Sequence, residues 1–234
     1  MSSVELHYLP LDQHGFDIDL EQALDFLDET EKSRYHRFKN ENAQSCFLQA
    51  RRIAKTQLAE KLQCAPAEVV FEYSDNDKPF LSTEKYPHTC HFNISHSKTA
   101  IVVALSKDPV GVDVEDIARC LKIWPRAESF LNPYVKTCVE KGKSDQERAA
   151  IFAEHWACTE SYIKLKGSAI YLEIKRVQAQ AHSNFANGRR KTFEDSYFTL
   201  LNLSTSACIS VAVEKEFPEI EAIHWRTGER QRLS

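Results

Sequence analysis

Alternating apolar and polar positions from Val4 to Leu9 predict a short strand, after which the pattern changes to helical spacing. An acidic helix is expected around Leu20 to Leu27. A second helix runs from about Glu31 through Leu62, with a break near Asn40 to Asn42. In its later part Phe47, Ala50, Ile53, Ala54, Gln57 and Leu58 share an apolar face, while Arg51, Arg52 and Lys55 mark the opposite stripe. Val69 to Tyr73 then reads as a strand and SDNDKPF as a polar turn. HFNISHS followed by AIVVALS reads as a hairpin turning at Ser95 to Lys98.

A second unit opens with the strand VGVDVED after Pro109, and Asn132-Pro133 has the cap and first-turn signature of a new helix. A long amphipathic helix is expected from Gln146 to Gly167. Strands are expected over Tyr171 to Gln180, Tyr197 to Leu203 and Ala207 to Glu214, with Asn187-Gly188 marking the hairpin between the first two. Both halves read as helix plus meander. The expected class is therefore α+β, with two similar lobes covering residues 1–107 and 108–234.

Composition narrows the setting. With 234 residues, 42% hydrophobic and 27% charged, the chain is long enough to bury a core and too apolar for disorder. Seven cysteines without CxxC spacing argue against a disulfide framework or zinc site and point to a reducing, cytoplasmic environment. The N-terminal residues do not resemble an export signal, and no window approaches about 18 apolar residues, so no membrane association is expected. A net charge of −4 argues against nucleic acid as a partner. That average hides a contrast: residues 12–31 carry eight acids and no Lys or Arg, whereas 32–55 carry seven bases and one acid, Glu41.

Candidate chemistry lies in two places. On the strand Val110 to Val114, the valines at 110, 112 and 114 share one face and Asp113 and Glu115 the other, giving paired carboxylates at a strand end. Such a pair can hold a hard divalent cation, although a solvated strand face is the commoner meaning. On the long helix, Glu160 and Lys164 are i,i+4 neighbours beside Trp156. Alone they read as a surface ion pair. Packed across the acidic strand, they would complete a site for a metal-bridged diphosphate.

RYHRF (34–38), KPF (78–80), HFNISHS (91–97), VGVDVED (110–116), FAEHW (152–156) and ESYIKLKG (160–167) occur together in this order, and with them the sequence resembles the 4′-phosphopantetheinyl transferases of the surfactin type. The resemblance implies a pseudo-twofold pair of α+β lobes with the site between them. It also implies transfer of the phosphopantetheine arm of coenzyme A to a serine of an apo acyl or peptidyl carrier protein, with Mg²⁺, releasing 3′,5′-ADP. Carried over residue by residue, it makes Asp113, Glu115 and Glu160 the Mg²⁺ ligands, Glu160 a candidate base, and Lys164 a grip on the diphosphate. His96, Ser95 and Lys78 are implied contacts to coenzyme A, and His96 joins Glu160 and Lys164 as a catalytic candidate. Lys32, Arg34, Arg37 and Arg51 are implied bases toward the cofactor's phosphates, for which a guanidinium fork is suited.

The chain departs from the family pattern at Thr159, where a lysine is usual, at Ala43 and Cys46, where an aspartate and an arginine are usual, and at Val135 in place of a glutamate. These losses bear on coenzyme A affinity more than on metal binding. The competing readings are a non-catalytic homologue that binds coenzyme A or a carrier protein, and a Mg²⁺-dependent phosphohydrolase. Thr159→Lys is expected to tighten coenzyme A binding. Trp124, Phe130 and Leu131 are candidates for carrier contact, with core packing an equal alternative.

Overall fold

The computed structural model describes residues 3–11, 23–87, 90–168, 173–177, 180–184 and 188–233. Its first strand, β1 (Ser3–Pro10), is followed by α1 (Glu29–Arg37) and α2 (Glu41–Leu62). The expected acidic helix at Leu20 to Leu27 falls partly outside the described residues. Asp28 starts α1 through a reciprocal capping box with Glu31, and Asn40 starts α2 by accepting from the Ala43 amide. The end of α1 at Phe38 and the Asn40 cap account for the break read from the sequence.

A short hairpin of β2 (Phe71–Tyr73) and β3 (Pro79–Leu81) leads to β4 (His91–His96) and β5 (Ala100–Ser106). The hairpin turn spans residues 97–99 rather than the expected Ser95 to Lys98, because β4 pairs through His96 and Ser97 Oγ accepts from the Thr99 amide at 3.1 Å. The second half contains β6 (Val110–Asp116), α3 (Ile117–Ala127), α4 (Pro133–Glu140) and α5 (Asp145–Lys166). It continues through β7 (Gln180–Asn184), β8 (Gly188–Phe193), β9 (Ser196–Leu201), β10 (Ala207–Glu214), β11 (Glu219–His224) and β12 (Arg230–Leu233).

The strand expected over Tyr171 to Gln180 does not form among the described residues. The amides of Arg176 and Val177 instead donate to the Glu173 carbonyl, and the Arg176 guanidinium binds both Glu173 and the Tyr162 hydroxyl. Among the described residues pairing begins at Gln180, in β7; Asn187 of the expected Asn-Gly turn lies outside them.

Among the described residues two five-stranded sheets result, ordered β12-β11-β1-β5-β4 and β6-β10-β9-β8-β7. No strand was expected after Glu214, yet β11 pairs parallel to β1. The lobe boundary expected at 107/108 assigns these last strands to the second lobe; their pairing attaches them to the first sheet.

Strand alternation sorts the core. Val102 and Ala104 of β5 meet Val110, Val112 and Val114 of β6 and Val211 of β10 in a shared cluster between the sheets. Ile101, Val103 and Leu105 face the α2 side, packed with Ile53, Ala54 and Leu58. On the far side, α5 contributes Phe152, Ala157 and Tyr162 to a cluster with Phe198, Leu200 and Ala212. The order of layers is thus helix, sheet, sheet, helix. Among the described residues no helix is long and apolar enough to cross a membrane.

Candidate active site

The site forms where β4 of the first sheet runs beside β6 of the second. Two β4 side chains substitute for a neighbouring strand: Asn93 Oδ1 accepts from the Val112 amide at 2.8 Å, and Ser95 Oγ accepts from the Val114 amide at 3.3 Å. Buried amides that would otherwise lack partners are satisfied in this way, and the two lobes are fixed in register. Asn93 was missed by sequence reasoning. Alternation puts Asn93 on the polar face of HFNIS with His91 and Ser95, opposite Phe92 and Ile94, and nothing in the sequence marks that face as buried.

α5 crosses the other face of β6 at unusually close range. A Cβ on Gly111 would lie 2.0 Å from the Ser161 carbonyl oxygen, so only glycine allows the helix backbone to rest there. Ser161 Oγ and Ser210 Oγ, 2.9 Å apart, join the helix to β10 as well. This contact brings Lys164 over Asp113. Lys164 Nζ donates to Asp113 Oδ1 at 2.7 Å and to Ser95 Oγ at 2.9 Å, and Ser95 Oγ donates to the same carboxylate oxygen at 2.8 Å. Three elements therefore meet through three side chains. Asp113 Oδ2 is buried and has no hydrogen-bond partner among the described residues.

Glu115 and Glu160 share this electrostatic neighbourhood. Burial, followed by the charge of Asp113, raises the Glu115 pKa to about 7, with Glu160 adding to the shift and Arg119 opposing it. Burial and Asp113 likewise raise Glu160, against Lys164 and Arg119. The physical cause is common to both: carboxylates close together in a low-dielectric setting disfavour one another's ionisation. Arg119 Nη1 contacts Glu115 Oε2 at 3.4 Å. No group of three His, Cys, Asp or Glu residues is arranged as a metal cluster among the described residues. Lys164 and Arg119 instead occupy oxygens of Asp113 and Glu115.

The remaining candidates divide. His96, at the end of β4, is lowered first by the protein packed around its ring, then by Lys164 and Arg51, against Asp113. Lys78 is lowered by burial and by Lys164, and its ammonium donates to the Lys164 backbone carbonyl. Arg51 is buried: its Nε lies 2.9 Å from Glu31 Oε1, while Lys55 Nζ lies 2.5 Å from Glu31 Oε2. Lys55, read from the sequence as part of the stripe opposite the apolar face, is fully buried instead, and Glu31 was not singled out as its partner. Arg34 stacks 3.8 Å over the Tyr73 ring and pairs with Asp77 at 2.5 Å. Lys32 pairs with Glu29 at 2.9 Å on the surface, and Arg37 lines a shallow depression with Glu29, Ser33 and Arg34. Neither Lys32 nor Arg37 is brought to the Asp113 cluster.

The positions where the chain departs from the family pattern are mostly enclosed. Thr159 is buried and its Oγ1 donates to the His155 carbonyl at 2.8 Å. Cys46 and Val135 are buried as well, and so is Leu131. Trp124 packs against Phe152.

Comparison with known proteins agrees with this architecture. Residues 15–108 match the family described as 4′-phosphopantetheinyl transferase, N-terminal, and residues 109–226 match the 4′-phosphopantetheinyl transferase superfamily. The class these matches define is that of the 4′-phosphopantetheinyl transferases. The chain belongs to the 4′-phosphopantetheinyl transferase superfamily.

It is similar to the 4′-phosphopantetheinyl transferase gsp of Aneurinibacillus migulanus, with 34% identity over 50% of this chain and 46% of that protein. The match therefore spans about half the length of that relative. The transferase HetI of Nostoc sp. is 27% identical over 71% of this chain and 70% of its own. A phosphopantetheinyl transferase of Thraustochytrium sp. is 25% identical over 86% and 75%.

Proposed function

We propose that this chain transfers the 4′-phosphopantetheine moiety of coenzyme A to a serine of an apo acyl or peptidyl carrier protein, releasing 3′,5′-ADP with Mg²⁺ as the metal. The observation that carries this reading is the meeting of Asp113, Lys164 and Ser95 at the seam between the sheets. An ammonium held beside a buried carboxylate suits a diphosphate bridged to a cation.

The donor set fits Mg²⁺. Asp113 keeps an unpartnered buried oxygen, and the raised pKa values of Glu115 and Glu160 express a crowding of negative charge that a divalent cation relieves. Asp113, Glu115 and Glu160 would hold it. When bound, the cation supplies charge neutralisation for the diphosphate and for the departing 3′,5′-ADP.

The chain's own groups do the rest. Lys164 holds the diphosphate and Ser95 orients Lys164. Glu160 is the candidate base that accepts the proton of the incoming serine hydroxyl, directly or through water. His96 and Lys78 border the same site from the first lobe. Seven free cysteines accord with a cytoplasmic enzyme.

Intact-mass measurement tests the reading: the chain is incubated with coenzyme A, Mg²⁺ and a panel of apo carrier proteins. A phosphopantetheine adduct with equimolar 3′,5′-ADP is expected. Absence of any adduct while coenzyme A still binds would make the chain a binding module. Release of 3′,5′-ADP without a carrier would make it a phosphohydrolase.

A further inference from the structure

The turn between β2 and β3 touches both lobes. It is closed internally: the Ser74 amide donates to the Lys78 carbonyl at 3.0 Å, the Asp77 amide to the Ser74 carbonyl at 2.9 Å, and the Lys78 amide to Ser74 Oγ at 3.2 Å. Asp77 adopts a left-handed backbone with φ of 59°, a conformation that short polar residues tolerate. A turn bonded in this way behaves as a small rigid piece.

Its outward groups point in two directions. Toward α1, Asp77 pairs with Arg34. Toward the second lobe, Asn76 Nδ2 donates to the Gly167 carbonyl at 2.9 Å, and Lys78 Nζ donates to the Lys164 carbonyl. Both acceptors belong to the end of α5, whose last carbonyls have no partner within the helix. Lys164 is consequently held twice, at its carbonyl by the first lobe and at its ammonium by Asp113.

We propose that the Ser74–Lys78 turn is an inter-lobe strut and that Asn76 is a positioning residue: by capping the end of α5 it fixes the height of Lys164 and Glu160 above the β6 acids. Asn76 touches neither the acids nor the site's bases, so it acts only through α5. Displacement of a catalytic group by about 1 Å can cost orders of magnitude in rate. The inference rests on the transferase reading for its kinetic consequence and on the structure alone for its mechanical one.

The chemistry of position 76 gives a graded test. Asn76→Gln keeps the donor, Asn76→Ala removes it, and Asn76→Asp presents a carboxylate to the negative end of a helix. The expected kcat for transfer falls in the order wild type, Asn76→Gln, Asn76→Ala, Asn76→Asp, with Asn76→Ala down on the order of tenfold. The melting temperature should stay near that of the wild type, because the lost hydrogen bond is exposed. Amide exchange over residues 163–168, measured without substrates, should accelerate in the same order.

Unchanged exchange in Asn76→Asp overturns the strut, whatever the chain transfers. Accelerated exchange with kcat unchanged in an active wild type overturns the positioning role. A wild type that modifies no carrier, with exchange still graded, overturns the transferase reading and leaves the strut standing.

Discussion

Two clusters of buried charge are built from the same residue types and do opposite things. In the first lobe, Glu31 is fully buried between Arg51 and Lys55, and its Oε2 also accepts from the Asp28 amide in the capping box that starts α1. At the seam, Asp113, Glu115 and Glu160 outnumber the cations that reach them, and one Asp113 oxygen has no partner among the described residues.

In the first cluster each carboxylate oxygen lies against a cation, Oε1 at 2.9 Å from Arg51 Nε and Oε2 at 2.5 Å from Lys55 Nζ, so its charge is matched and it ties α1 to α2 even though its hydrogen-bond geometry is incomplete. The second retains unsatisfied negative charge beside a lysine. Burial alone therefore does not mark a reactive cluster; unsatisfied charge inside it does.

The sharpest way to break this comparison is to remove Glu31. Glu31→Ala leaves two buried cations without a counter-charge and should destabilise the fold by about 3–5 kcal/mol in urea unfolding. Replacing all three members by apolar residues of similar volume should cost far less, since a buried ion pair is often neutral against a well-packed isostere. Equal losses for the single and triple variants would show that the cluster does more than tie the helices.

Asp113→Ala should behave in the opposite way. Transfer should fall by about 10²–10³-fold, while the melting temperature stays within a few degrees of the wild type. The partly exposed Lys164 can turn toward solvent once its partner is gone. Substantial residual transfer would remove Asp113 from the active site.

The next effect is smaller and reverses a sequence-based expectation. Thr159 looked like a lost contact to coenzyme A, but it is buried and bonded to the helix carbonyl of His155. Thr159→Lys should therefore cost about 1–3 kcal/mol in stability without lowering the Michaelis constant for coenzyme A. A lowered constant would show that the position does open toward the cofactor.

The last effect is graded and concerns pH. Burial, with Lys191 nearby, lowers the His155 pKa from an ordinary 6.5 to about 3. The unfolded chain then binds more protons than the folded one between these values, so stability rises with pH across that window and falls as pH drops from 6.5 toward 3. His155→Asn should flatten the slope by at most about 1.4 kcal/mol per pH unit, measured by denaturant unfolding at several pH values. An unchanged slope would assign the acid sensitivity to other groups.

Much of the site was legible because it is locally periodic. Period-two alternation on β6 separates Asp113 and Glu115 from the valines, and helical spacing pairs Glu160 with Lys164. The α1–α2 break was readable from Asn40 for a similar reason: a cap is a local hydrogen bond. The roles of Arg34 and Arg51 were not readable. A sequence shows that a guanidinium is present, but not that Asp77 and Glu31 compete for it from elsewhere in the fold. Asn76 was read only as part of a polar turn, since its partner lies 91 residues away.

The sequence by itself determined the α+β class, most of the helices and strands and the family, and marked the three acids as candidates, since each is written in short-range spacing and local motifs. Tertiary structure alone decided that β11 returns to pair with β1 and that Ser95, Asp113 and Lys164 meet. It also decided that the bases of α1 and α2 are largely engaged by carboxylates of the protein itself. Those outcomes depend on which distant groups the packing of the two sheets brings together, and a buried charge takes the partner that packing delivers to it.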